Sequence, residues 1–149
     1  VETQTVANFS STKTELAERF ILCPYINGVP YAKDGLEEEY YTNKFRGELA
    51  QFIFAKIMLG KPIEQDKLKD FAGDENLDEL LKIFTSYDEV SPSAREKYFG
   101  DCIKAVVSNG LKNKIQQLKS QFELETDREK RLHIAQELNE LTIKLTKLK

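Results

Sequence analysis

With 149 residues, 40% hydrophobic and 32% charged, the chain has material for one domain, or one domain with a small appendage. It lacks an apolar run near the roughly 20 residues of a membrane-spanning helix, and it has no basic-then-apolar signal sequence. The net charge of −3 is uneven: residues 1–90 hold 10 Lys and Arg against 17 Asp and Glu, a net −7, and residues 91–149 hold 12 against 8, a net +4.

The positive charges of the second part are mixed with Glu along helical stretches, a pattern that speaks against a nucleic-acid-binding face. Cys23 and Cys102 stand far apart with no CxxC or CxxH frame, so they read as two buried thiols of a cytoplasmic protein. A chain that opens on Val1 reads as a piece of something longer.

Residues 1–10 are rich in Thr, Ser, Asn and Gln without a period, which predicts the remnant of a linker. Thr12 to Glu15 has the spacing of a capping box, in which the hydroxyl meets an unpaired amide and the carboxylate reaches back. A helix is therefore expected from there through Leu16, Phe20 and Cys23, stopped by Pro24. The stretch to Gly35 contains Gly28-Val29-Pro30 and Asp34-Gly35 and reads as turn. Glu37, Glu38 and Glu39 open a short helix as a solvated first turn; three adjacent carboxylates diverge and make a poor metal cage.

From Lys44 to Leu59, Phe45, Leu49, Phe52, Ile53 and Ile57 trace one helical stripe, with Gly60 as the stop, and Phe52, Phe54 and Ile57 are expected in the core. A short helix follows over residues 63–72. Asn76 with Glu79 predicts another cap, ahead of a helix burying Leu77, Leu80, Leu81 and Phe84. Ser91-Pro92 starts a long helix through Phe99, Cys102, Ile103, Val106 and Val107. Gly100 and Gly110 each cost about 1 kcal/mol in a helix interior, and Asn109-Gly110 predicts a bend or brief break. No stretch alternates as a strand does, so the fold class is all-α.

Beyond Gly110 the apolar spacing changes. Leu111, Ile115, Leu118 and Phe122 step by four, three and four; Ile134, Leu138, Leu141, Leu145 and Leu148 step by four, three, four and three. Each set is a heptad seam. Thr126 to Glu129 has capping-box spacing, so a new helix is expected there, and the short joint folds the two antiparallel. The organisation read from the sequence is a linker remnant (1–10), a helical bundle with its connecting helix (11–110) and a helical hairpin (111–149). Leu124, Leu132, Ala135 and Ile143 lie off the seam and need a cover from the rest of the domain, a second copy or another protein. Arg128, Arg131 and Lys144 would supply charge at the rim of that surface.

Catalytic patterns are sparse. His133, the only histidine, lies between Leu132 and Ile134 among basic residues and reads as a surface or interface side chain. The sequence has no glycine-rich phosphate loop, no H-E-x-x-H and no EF-hand spacing, so no catalytic residue, metal ligand or cofactor is assigned.

Three stretches carry a family likeness: Glu15 to Pro24 (ELAERFILCP), Asn76 to Asp101 (NLDELLKIFTSYDEVSPSAREKYFGD), and Ile115 to Leu145 with its TDREKRL turn and QELNEL close. Together they resemble the C-terminal, helicase-binding domain of bacterial DNA primase. The likeness is one of apolar positions, and residues 27–41 depart from the family pattern. It implies an N-terminal helical bundle joined by a long helix to a helical hairpin. It also implies that the hairpin docks on the N-terminal domain of the replicative helicase, that the bundle modulates helicase activity, and that primer synthesis resides elsewhere in the parent primase. Some members also bind the acidic tail of single-stranded DNA-binding protein through the bundle; the net −7 of residues 1–90 opposes that partner here. The rival readings are a homodimerising helical assembly module, the N-terminal domain of a replicative helicase and a small all-α enzyme. Neither direct nucleic-acid contact nor membrane contact is expected.

Overall fold

The computed structural model describes residues 2–28 and 36–148, with the backbone alone for residues 2–12. The described residues form six α-helices and no strand: α1 (Glu2–Ile26), α2 (Lys44–Met58), α3 (Gln65–Ala72), α4 (Leu77–Phe84), α5 (Arg95–Leu124) and α6 (Arg128–Leu148). Short 3-10 turns cover Glu38–Tyr40, Ser86–Glu89 and Pro92–Ala94. The fold is all-α, as the patterning requires. The chain divides into two compact units, residues 1–106 and 107–149, and the boundary falls inside α5 rather than at a break.

In the first unit α1 packs on α2, α4 and the 86–89 turn. Every residue from Phe20 to Ile26 is buried, so this end of the helix is enclosed on all sides. Two readings of α1 need correction. Its backbone is helical from Glu2, so residues 2–10 are not an irregular stretch and Thr12–Glu15 is not a start; polar residues lower helix propensity without forbidding it. Pro24 lies within the last turn, where it removes only one helical hydrogen bond, and the helix ends instead before Gly28, whose φ of 77° suits a residue without a Cβ. The turn expected over residues 29–35 lies outside the described residues.

Asn43 caps α2 by accepting the Arg46 amide at 2.9 Å. Phe45, Leu49, Ala50 and Ile53 form its buried side, while Phe52 and Ile57 are half-buried. Phe54 is exposed, against the core role expected for it, because the buried stripe of α2 runs along its other flank. Gly47 permits the 38–41 segment to lie against α2: a Cβ there would stand 3.1 Å from the Glu38 carbonyl oxygen. On α4, Leu80 and Ile83 are buried, whereas Leu81, expected inside, is exposed.

Asn76 also differs from expectation. Its side chain donates to the Ala72 carbonyl at 3.3 Å, closing α3, and makes no cap on α4. Glu79, the other half of that expected box, turns into an ionic network. Its carboxylate accepts two hydrogen bonds from Arg19, at 2.7 and 2.8 Å, and one from Arg46 at 3.0 Å. Arg46 also donates to Glu18 at 2.8 Å, and Glu18 accepts from the Thr42 amide and hydroxyl at 3.0 and 2.7 Å. Glu18 and Arg46 are buried, so four charged groups on α1, α2 and α4 compensate one another inside the unit. Burial would raise the Glu79 carboxyl, but the hydrogen bonds from the two arginines outweigh it and hold the group below its ordinary value.

Helix α5 runs unbroken from Arg95 to Leu124, through Asn109 and Gly110. The expected break is absent because two glycines cost about 2 kcal/mol together, against the burial of Phe99, Cys102, Val106, Leu111, Ile115 and Leu118 along the same helix. Arg95 anchors its first turn by donating to the Tyr87 and Val90 carbonyls and stacking on the Tyr87 ring.

Candidate functional site

In the second unit the last part of α5 meets α6. The Arg131 guanidinium lies 4.2 Å from the centre of the Phe122 ring, and Lys114 reaches Glu137 at 4.0 Å. Pairs that move apart in this way on either side of a turn define an antiparallel return. The turn is fixed by Asp127, whose carboxylate accepts the Lys130 amide at 3.0 Å, while Glu125 accepts the Asp127 amide at 3.3 Å. Asp127, rather than Thr126, is therefore the cap of α6, and its charge lies at the positive end of the helix dipole.

Burial along the seam is unequal. Leu111, Ile115 and Leu118 of α5 are buried, but Ile134, Leu138, Leu141, Leu145 and Leu148 of α6 are only half-buried. Among its described residues α6 buries none completely. Three of the off-seam residues are more open still, Leu124 at 83% exposed, Leu132 at 61% and Ile143 at 48%, whereas Ala135 is half-buried.

The structure gathers some of the expected surface residues and separates others. Arg128, Arg131, Leu132 and Ala135 line one open cleft of about 470 Å³ together with Phe122 and Thr126. Ile143 follows Leu132 by 11 residues, which at about 100° and 1.5 Å per residue returns it to the same side of α6 some 16 Å further on. Lys144 is turned about 100° from Ile143. Leu124 does not line the cleft; its position on α5 is opposite that helix's seam, so it faces away from Leu132. The expected surface is thus a cleft near the turn, with Ile143 as a separate site along the same helix. Phe122 was assigned to the seam alone; its place at the seam's end, one step before the turn, is the signal that it also meets solvent.

Charge separates across the turn. Glu125, Asp127 and Glu129, with Lys130, His133 and Ile134, line a second cleft, whereas the Phe122 cleft carries Arg128 and Arg131. His133 is exposed.

The thiols lie in the first unit. Both are free and buried. Burial raises the Cys23 thiol above its ordinary value, although the Asn27 side-chain amide, donating to the sulfur at 3.2 Å, opposes the shift; the thiol itself donates weakly to the Phe84 carbonyl at 3.6 Å. Burial likewise pushes Cys102 up to about 11, beside a Tyr98 hydroxyl raised to about 12. Neither thiol is primed as a nucleophile. Among the described residues no three His, Cys, Asp or Glu side chains converge as metal ligands would, and no helix is long and apolar enough to cross a membrane. No family model matches the chain, and neither a curated protein nor a solved structure is found to be similar to it.

Proposed function

We propose that the chain is a non-catalytic interaction module, acting in the cytoplasm, whose C-terminal hairpin docks a DNA primase on the replicative helicase during DNA replication. The observation that supports it is the state of α6: 21 residues long, carrying seven Leu and Ile, with none completely buried among its described residues. A helix of that length is marginal in water without packing. Each leucine or isoleucine gains about 1.5–3 kcal/mol on full burial, so a partner covering Leu132 and Ile143 would be bound through them. The family likeness supplies the partner's identity, the N-terminal domain of the helicase. Arg128 and Arg131 at the edge of the cleft would act more on encounter rate than on affinity. The likeness also offers single-stranded DNA-binding protein as a second partner of the bundle, but residues 1–106 hold 13 Lys and Arg against 19 Asp and Glu, a net −6 that would repel its acidic tail.

Titrating the isolated chain against that helicase domain by calorimetry tests both parts. Wild type should bind, and Leu132→Asp with Ile143→Asp should lose at least 100-fold in affinity while far-ultraviolet circular dichroism stays unchanged. Undiminished binding by the double variant would remove the α6 face from the interface. No binding by wild type would remove the helicase.

A further inference from the structure

A second apolar patch lies in the first unit, on the flank of α2 turned away from the core. Phe54 and Met58 stand one helical turn apart, Leu59 follows, and Met58 is 70% exposed. Beside them Leu36, Glu37, Glu38, Gln51 and Phe54 line a groove of about 260 Å³. Its floor is the buried Leu36 and its rim carries the exposed carboxylates Glu37 and Glu38. The close approach of the 38–41 segment to Gly47 sets this rim against α2.

The hairpin cleft has the complementary chemistry: a protruding apolar side chain, Leu132, flanked by Arg128 and Arg131. Among the described residues neither these two arginines nor Glu37 and Glu38 form an ion pair. Stacking on Phe122 occupies the face of the Arg131 guanidinium and leaves its edge donors able to meet a carboxylate. The charge balance has the same sense at longer range. Residues 107–149 hold 9 Lys and Arg against 6 Asp and Glu, a net +3, against the net −6 of residues 1–106.

We propose that the hairpin cleft of one copy seats on the α2 groove of a second copy, with Leu132 entering beside Phe54 and Met58 and with Arg128 and Arg131 meeting Glu37 and Glu38. The two surfaces differ, so the contact is heterologous: a single contact leaves one hairpin and one groove open, to be satisfied by reciprocal exchange between two copies or by further copies. The patches are small, which makes the association weak and salt-sensitive. The contact uses the hairpin face assigned above to the helicase, so self-association and partner binding exclude one another. It does not rest on the helicase reading.

Sedimentation equilibrium of the whole chain at low and physiological salt tests the contact by charge exchange. For wild type the average mass should rise above that of one copy with concentration, less steeply at higher salt. Glu37→Arg with Glu38→Arg should stay monomeric, as should Arg128→Glu with Arg131→Glu. An equimolar mixture of these two variants should recover the assembly, because each hairpin again meets a groove of opposite sign. Phe54→Asp with Met58→Asp should be monomeric and should not be rescued by the Glu37→Arg, Glu38→Arg variant, whereas with the Arg128→Glu, Arg131→Glu variant, whose groove is intact, it should form a complex of one copy each and no larger. Wild type that stays monomeric to about 1 mM would overturn the proposal, as would charge variants that fail to complement each other. The groove variants alter nothing on the hairpin, so their helicase binding should equal wild type's, which keeps a failure of this contact distinct from a failure of the helicase reading.

Discussion

Replacing Arg46 by Ala should destabilise the first unit by about 3–5 kcal/mol, the usual cost of stranding a buried charge. The Arg46 side chain is 4% exposed and that of Glu18 only 1%, and the guanidinium is the shared donor to Glu18 and Glu79. Without it Glu18 keeps the two Thr42 donors but no hydrogen-bonded counter-charge, and Glu79 depends on Arg19 alone. Arg46→Lys preserves the charge but cannot reach two carboxylates with one rigid fork, so it should recover only part of the loss. Urea unfolding followed by the circular dichroism of helix measures both; a loss below about 1 kcal/mol for Arg46→Ala would mean that the network contributes little.

Acid should expose the same network. Because the folded Glu79 carboxyl titrates below its ordinary 4.5, its stabilising contribution is complete above that pH and is lost as pH falls through the lower folded value. Arg46→Ala should therefore flatten the acid limb of the stability profile as well as lower its plateau.

Phe20→Ala should cost about 3–5 kcal/mol as well, by a different route. Phe20 is completely buried and holds Tyr98 edge-on at 4.7 Å and Tyr87 at 5.7 Å. Removing the ring leaves a cavity bordered by α1, the 86–89 turn and the first turns of α5, and two aromatic contacts worth about 0.5–1.5 kcal/mol each go with it. Thermal unfolding would report the change. Phe20→Leu keeps most of the buried area and should lose distinctly less, so equal losses for the two variants would point to strain rather than a void.

The helices were legible where apolar period and backbone chemistry agreed. The stripe of Phe45, Leu49 and Ile53, the stop at Gly60, and the seam of Leu111, Ile115 and Leu118 follow directly from residue types and spacing. Caps were less legible, because a cap depends on competition among polar groups. Asn76 serves the helix before it, Asp127 displaces Thr126, and Glu79 leaves its own helix start for Arg19 and Arg46. The ionic network was not legible at all: Glu18 and Arg46 lie 28 positions apart, and one helical period holds no information about which polar residue of α1 meets which of α2. The large off-seam residues of the hairpin, Leu124, Leu132 and Ile143, were legible as exposed, whereas Ala135 is half-buried. That Leu124 faces away from Leu132 required the antiparallel return, which inverts the outward direction between the two helices.

The placement of the two thiols has an experimental consequence. Both lie in residues 1–106 and both are buried, while residues 107–149 contain none. A thiol-reactive dye can therefore modify the native chain only when that unit opens, and the hairpin contributes no signal of its own. Labelling rates, read in conditions that favour folding, become a clock for fluctuations of the bundle alone. Comparing that clock with and without a ligand on the hairpin would reveal whether events at the hairpin's surface alter how often the bundle opens.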